Sequence, residues 1–382
     1  MTVTFISNFL NHHQTPVANQ LYRKIGDNYR FISTEPTPET FLKSGYPNCE
    51  NYQYNLLSYE NESNYNKALK LVVDSDILII GGCNVPEFLN LRLSSGKPLI
   101  RYTERWHKKV KSYFFLPYHI LNGNVWRNHI SLRNKPVYLL CAGAFVKDDC
   151  NLIGAYPNKR FKWGYFTNVN KLDIEKIINE KKNQKPRILW ISRFIDWKHP
   201  ELPVILASQL KKKGYDFQID MIGTGPLVDR IQKLINKLEV SNFVNLLGTM
   251  PNHEVTEELK RSHIFLFTSD RQEGWGAVLN EAMSNGCTVV ASDLIGSVPF
   301  LLNEENTGLI FKSGNLKSLQ SKVEKLLNNT ELSSQMARNA YNVIFNMWSP
   351  ENAANNLLQL CDSIVKEDLN TLKIEQGPCS KL

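Results

Sequence analysis

No apolar run in this sequence approaches the roughly 20 residues a membrane-spanning helix needs. The first residues, Met1-Thr-Val-Thr-Phe-Ile-Ser-Asn8, carry neither the charged n-region nor the long apolar h-region of a secretory leader. The seven cysteines, at 49, 83, 141, 150, 287, 361 and 379, form no Cys-x-x-Cys pair and no zinc-ligand spacing. A disulfide framework and a structural zinc site are set aside, and each thiol reads as a small hydrophobe. Internal repeats and low-complexity blocks are also missing, which excludes solenoids and arrays. The expectation is a cytoplasmic globular protein.

What is present suits two or three domains: 382 residues, 42% of them hydrophobic, enough for sizeable cores. Short β-rich runs alternate with helical patterns, as in parallel α/β units. The first half predicts strands at Thr2–Ser7, Tyr29–Thr34, Asp76–Gly81, Pro98–Thr103, Val137–Ala142 and Arg160–Tyr165, with a further short one at Asn51–Asn55. The second half predicts Ile188–Ser192, Phe217–Ile222, Phe243–Leu247, Ile264–Thr268, Thr288–Ser292 and Leu309–Phe311. Two doubly wound domains follow, 1–168 and 187–349, joined by a polar, lysine-rich linker over 169–186. A helix with an apolar face is expected at about 350–365, and a polar tail that frays over 366–382.

The densest signal is Glu273-Gly-Trp-Gly-Ala-Val-Leu-Asn-Glu281, placed between a strand and a helical pattern. Backbone amides at Gly274, Trp275, Gly276, Ala277 and Val278 would stand at a helix N-terminus and favour an anion such as a diphosphate. Helical rise over eight residues would separate the two carboxylates by roughly 12 Å, about the span from the sugar to the ribose of a nucleotide-sugar. The alternative is two solvated acids near a helix start, where acids are favoured anyway.

This stretch resembles the Glu-x7-Glu motif of retaining GT-B glycosyltransferases of the group-1 (family 4) type. Other pieces fall in that family's order: Arg187–Arg193, Lys198 in Asp-Trp-Lys-His-Pro, Gly223-Thr-Gly225-Pro, Phe243–Met250 and Thr307–Phe311. The resemblance is strong from about 187 to 312 and diffuse elsewhere. It implies two Rossmann-like domains facing a central cleft, the nucleotide-sugar held by the second and the acceptor by the first. It further implies that Arg193 and Lys198 bind the diphosphate, that Glu273 meets the donor sugar, and that Glu281 holds the ribose. Met250 and Gly225 would pass near the nucleotide. Closure of the cleft would exclude water, a competing acceptor. Two cations already neutralise a diphosphate, so neither a metal nor any cofactor is expected. Asp74 and Asp76, a metal-binding pattern elsewhere, precede a buried strand and read as a helix-to-strand turn.

The first half departs from the family. Its first loop, Asn8-Phe-Leu-Asn-His-His-Gln14, has no glycine, and His12 and His13 either reach the cleft or satisfy the loop. Where many relatives carry a cleft histidine, this chain has Thr103-Glu104-Arg105. Glu104 is then the best carboxylate for orienting acceptor or sugar, with Arg105 and His107 as further cleft candidates.

Net charge is +8, and between Arg101 and Lys135 eight basic residues face one acid, Glu104. The cations are Arg101, Arg105, Lys108, Lys109, Lys111, Arg127, Arg133 and Lys135, interleaved with Tyr102, Trp106, Tyr113, Phe114, Phe115, Tyr118 and Trp126. Such a surface suits anionic lipid headgroups at the inner face of a cell membrane; a solvated basic loop over buried rings is the alternative. Nothing resembles a nucleic-acid recognition motif. The expected function is retaining transfer of a hexosyl or N-acetylhexosaminyl group to a hydroxyl acceptor, carbohydrate or lipid-linked, from a UDP-sugar or another nucleotide-sugar. A nucleotide-sugar epimerase and a non-catalytic sugar-nucleotide-binding subunit stay open as alternatives.

Overall fold

The computed structural model of the chain describes residues 1–43, 45, 47–109, 114–121 and 123–382. Lys111 and Tyr113, counted above in the basic-aromatic window, lie outside the described residues. The chain forms two compact units, one of Met1–Asn168 with Met347–Leu382, the other of Val169–Asn346.

In the first unit the strands are β1 (Val3–Ser7), β2 (Tyr29–Ser33), β3 (Asn55–Leu57), β4 (Ile77–Gly81), β5 (Leu99–Thr103), β6 (Val137–Ala142) and β7 (Arg160–Trp163). They pair in the order β3-β2-β1-β4-β5-β6-β7, every pair parallel. The second unit holds β8 (Arg187–Ile191), β9 (Gln218–Ile222), β10 (Val244–Gly248), β11 (Ile264–Phe267), β12 (Thr288–Ser292) and β13 (Gly308–Phe311), ordered β10-β9-β8-β11-β12-β13. Continuous apolar runs such as Ile77-Leu-Ile-Ile80 are buried throughout, because helices cover both faces of a parallel sheet. Both orders reverse once, between β1 and β4 and between β8 and β11, and the carboxyl ends of strands at such a reversal are where doubly wound sheets bind ligands.

The opposite, amino ends are closed by buried cations. Arg92, on helix Pro86–Ser94, is fully buried, and its guanidinium donates to the carbonyls of Val72 (3.0 Å), Ser75 (2.7 Å), Asp76 (2.9 Å) and Pro98 (2.7 Å). Burial lowers its pKa to about 10, which leaves it charged at neutral pH. In the second unit Lys181 donates to Ser262 O (2.7 Å) and Gly286 O (2.8 Å), just ahead of β11 and β12. Asp76 lies at this closed end too, accepting from the Thr2 backbone at 2.7 Å, as a helix-to-strand turn does.

Three sequence expectations change. The segment 169–186, read as a linker, contains helix Ile174–Lys181, which belongs to the second unit because its apolar face and Lys181 are buried there. Its lysines made it look solvated, yet one of them is a buried cap. The third strand lies at Asn55–Leu57 rather than Asn51–Asn55. The segment 366–382 does not fray. Cys379 is fully buried, and the chain runs antiparallel beside β7 through Cys379 N–H to Lys162 O (2.7 Å), Lys162 N–H to Ser380 O (2.9 Å) and Leu382 N–H to Arg160 O (3.1 Å). Helix Pro350–Val365 packs along helix Thr15–Ile25, and Asn356 Nδ2 donates to Pro378 O at 2.9 Å, fastening the terminal segment.

Deleting residues 377–382 should therefore destabilise the first unit. Three backbone hydrogen bonds at about 1 kcal/mol each correspond to a fall of roughly 5–10 °C for a domain of this size. Thermal unfolding checks this, and an unchanged melting temperature would make the segment a solvated tail after all.

Candidate active site

At the reversal of the second sheet, β8 leads through Ser192-Arg193-Phe194 into the turn Asp196–Lys198, while β11 leads through Ser269–Ala277 into helix Val278–Ser284. Lys198 forms an ion pair with Glu273, their side chains only 11% and 10% exposed. Ser269 Oγ donates to the same carboxylate at 3.0 Å. Thr268 pins the lysine from behind: its hydroxyl donates to Lys198 O (2.7 Å) and accepts from Trp190 Nε1 (2.8 Å). His199 bridges Glu201 (2.9 Å) and Asp270 (3.7 Å), and the hydrogen bond to Glu201 raises its pKa.

The ring of Trp197 lies 4.2 Å from Lys198 Nζ and 6.0 Å from Arg193 Cζ, within cation–π reach of both. Arg193 is exposed and has no carboxylate partner among the described residues. Its loop is set by glycine: at Gly225, with φ +156°, an added Cβ would fall 2.6 Å from Phe194 O. Only a residue without a side chain lets the loop after β9 lie against the one carrying Arg193.

A second glycine shapes the β11 loop. Gly276 has φ +83°, and a Cβ there would meet Phe267 at 2.3 Å and Glu273 Cδ at 3.2 Å. The backbone N–H groups of Gly274, Gly276, Ala277 and Val278 have no partner among the described residues. The Trp275 indole is fully buried and donates to Asn280 Oδ1 at 3.0 Å, so its side chain is core and only its backbone is available to a ligand. The helix begins only at Val278, so Glu273 sits in the preceding loop and helical rise does not set its separation from Glu281. Glu281 lies in the first helical turn, and its carboxyl has no partner among the described residues. Burial pushes its pKa up to about 7. Met250, half-buried, follows β10.

In the first unit Glu104 follows β5. Its carboxylate accepts from Tyr165 OH at 2.6 Å and pairs with Lys108. His12 and His13 sit in the loop after β1, rings 3.7 Å apart, with His13 stacked on Tyr165 at 5.5 Å. Desolvation lowers them to about 4 and about 3, so both are neutral at physiological pH. His13 Nδ1 is buried without a hydrogen-bond partner among the described residues. Arg105 and His107 do not present themselves as cleft residues. Both are buried, Arg105 against the fully buried Asp149 (3.5 Å), whose other oxygen accepts from the backbone N–H of Trp106 (2.7 Å) and His107 (3.1 Å). Asp149 comes from a helix over forty residues later, a contact that no local spacing could announce.

Residues 173–343 match the sequence profile described as glycosyl transferases group 1. The match covers most of the second unit. An alpha-D-kanosaminyltransferase of Streptomyces kanamyceticus is 28% identical over 158 residues, 41% of this chain and 40% of that protein. A poly(ribitol-phosphate) alpha-N-acetylglucosaminyltransferase of Staphylococcus aureus is 26% identical over 207 residues, 51% of this chain and 41% of that one. The aligned parts thus span about two fifths of these relatives. The crystal structure of Anabaena Alr3699/HepE in complex with UDP and glucose superposes with a TM-score of 0.65 at 13% identity, covering 95% of this chain and all of that one. The fold is GT-B, as in these glycosyltransferase structures.

Within the matched unit the structure adds residues that the motifs did not mark. Trp197 joins Arg193 to Lys198, and Ser269, Thr268 and His199 hold the Glu273 loop. Trp197 was visible in Asp-Trp-Lys-His-Pro but carried no signal beyond an aromatic beside a lysine.

Glu281 yields a pH prediction. Its folded pKa is raised from 4.5 to about 7, so folding favours the protonated form. That stabilisation is complete below about pH 4.5 and is lost as pH rises through 7. Glu281→Gln should melt higher than the parent at pH 8 and at the same temperature at pH 4. Equal melting temperatures at both pH values would mean that the carboxyl is not desolvated.

Proposed function

We propose that the chain is a retaining glycosyltransferase that moves a sugar from a UDP-sugar to a hydroxyl acceptor in the assembly of a cell-surface polysaccharide or glycolipid. The observation that carries this is the arrangement of Arg193 and Lys198 around Trp197, with Glu273 on the lysine and the amides of Gly274, Gly276, Ala277 and Val278 unpaired among the described residues. In this reading the diphosphate competes with Glu273 for Lys198 and frees the carboxylate to accept hydrogen bonds from the donor sugar. Arg193 clamps phosphate oxygens bidentately while Lys198 acts as a point charge. Each such charge-assisted bond contributes about 1.5–3 kcal/mol, mostly as leaving-group charge develops. Glu281 accepts from the ribose hydroxyls, which replace the partners its buried carboxyl otherwise does without.

No carboxylate is assigned as a nucleophile, so the route is front-face: the departing phosphate helps take the acceptor proton. Glu104, held by Tyr165 and Lys108, orients the acceptor hydroxyl. UDP is favoured over other nucleotides because the HepE structures similar in fold contain it.

Arg193→Ala should lower turnover by about 100- to 1000-fold, with Arg193→Lys recovering part of it because the fork is lost but the charge kept. Release of UDP from the UDP-sugar, followed with and without acceptor, measures this. Near-normal turnover in a folded Arg193→Ala rejects the assignment. Absence of any UDP release from the parent would favour a non-catalytic binding subunit.

The first unit also suits an anionic membrane surface. Phe114 (80% exposed), Phe115 (59%), Tyr118 (64%), Leu121 (85%) and Trp126 (55%) stand outside the core, against the alternative of buried rings, and Lys109, Arg127, Arg133 and Lys135 are exposed nearby in sequence. Each cation near such a surface contributes about 1 kcal/mol, and the rings enter the headgroup layer. Vesicles containing anionic lipid should sediment the protein at low salt, less at high salt and less with Trp126→Ala and Arg127→Glu combined. Protein that stays in the supernatant at low salt points to a soluble acceptor instead.

A further inference from the structure

At the reversal of the first sheet, the carboxyl ends of β1, β2, β4 and β5 frame a cavity of about 540 Å³, within the size range of small-molecule sites. Asn8, Glu35, Asn84, Arg101, Trp106 and His129 are among the residues lining it. Arg101 is half-buried on β5, and its guanidinium donates to Asn128 O and bonds the Tyr156 hydroxyl, both neutral acceptors. A guanidinium has five N–H donors, and no carboxylate pairs with this one among the described residues. Glu35, exposed after β2, lines the same cavity without pairing with it. The Arg101 charge is felt around the wall: burial, reinforced by Arg101, holds His129 down to about 3, and burial pushes the Cys83 thiol up, a rise that Glu35 adds to and Arg101 opposes. His129 is therefore a neutral ring, packed on Trp106 at 4.1 Å, and Arg101 is the uncompensated cation of this cavity among the described residues.

We propose that this cavity is an acceptor subsite for a saccharide bearing an anionic group, a carboxylate or a phosphate, bound by Arg101. The proposal rests on the transferase reading above. To a half-buried cation with neutral acceptors only, an anion offers charge-assisted, bidentate bonds that a neutral hydroxyl does not. Asn8, Asn84 and Glu35 supply the acceptors and donors for sugar hydroxyls, and Trp106 supplies a ring for the sugar's C–H surface.

Ligand-observed NMR titrations of the full chain with methyl glucuronide, glucose 6-phosphate and methyl glucoside test this. At least one anionic sugar should bind about tenfold or more tightly than the glucoside, and the better anion tells carboxylate from phosphate. Arg101→Gln should bring the anionic sugars down to the level of the glucoside, while Arg101→Lys keeps part of the preference. If Arg101→Gln does not fold, the lysine variant and the parent's discrimination decide. Equal binding of all three sugars, no binding of either anionic one, or a preference that survives Arg101→Gln overturns the proposal. A thermal shift with UDP, run on the same samples, reads the donor assignment separately. A UDP shift without sugar discrimination sinks the subsite alone, whereas discrimination without a UDP shift sinks the transferase reading and leaves an anionic-saccharide site.

Discussion

Each sheet is laced at one end by a buried cation that has no carboxylate of its own among the described residues. Arg92 gathers main-chain carbonyls ahead of β4 and β5, and Lys181 does the same ahead of β11 and β12, the fourth and fifth strands of their units. Turns that enter parallel strands leave carbonyls with no ladder partner, and burying them unpaired would cost about 1–3 kcal/mol apiece. One multidentate cation satisfies several at once. With the amino ends sealed in this way, the loops at the carboxyl ends are left to differ, and Arg193, Lys198 and Glu273 are found there, with Glu281 in the helix that follows one of them.

Those loops hold opposed charges in a small space. Lys198 is neutralised by Glu273 while Arg193 is not, and Glu281 is kept in surroundings that raise its pKa to about 7. A site so arranged is less stable than an apolar version of itself. The same residues that the donor would engage are those whose ionised or unpaired forms the fold tolerates at some expense of stability.

Much of this was legible in the sequence. Strand positions followed from apolar runs and turn residues, and the order Arg193, Lys198, Glu273, Glu281 was readable because those residues fall within one contiguous stretch of motifs. What escaped was set by long-range contacts. Lysine-rich 169–186 hides a capping residue whose acceptors lie 81 and 105 positions away. Arg105 and His107 looked like cleft residues until Asp149 placed them inside. The polar composition of 366–382 gave no sign that its last residues run beside β7. Trp275 sits in the middle of the most informative motif, yet its indole belongs to the core, since motif spacing fixes the backbone path and not which way each side chain points.

The antiparallel pairing of Cys379–Leu382 with β7 has a consequence for synthesis on the ribosome. The first unit is discontinuous, and its edge strand gains this neighbour only after residue 382 has been made. The second unit is contiguous and complete by Asn346. A chain emerging from its N-terminus therefore lays down most of the first sheet early and must keep an open β edge while the second unit folds. An open edge is a template for pairing with other chains. Nascent chains stalled anywhere between about 170 and 380 are thus the species in which self-association of this protein would concentrate.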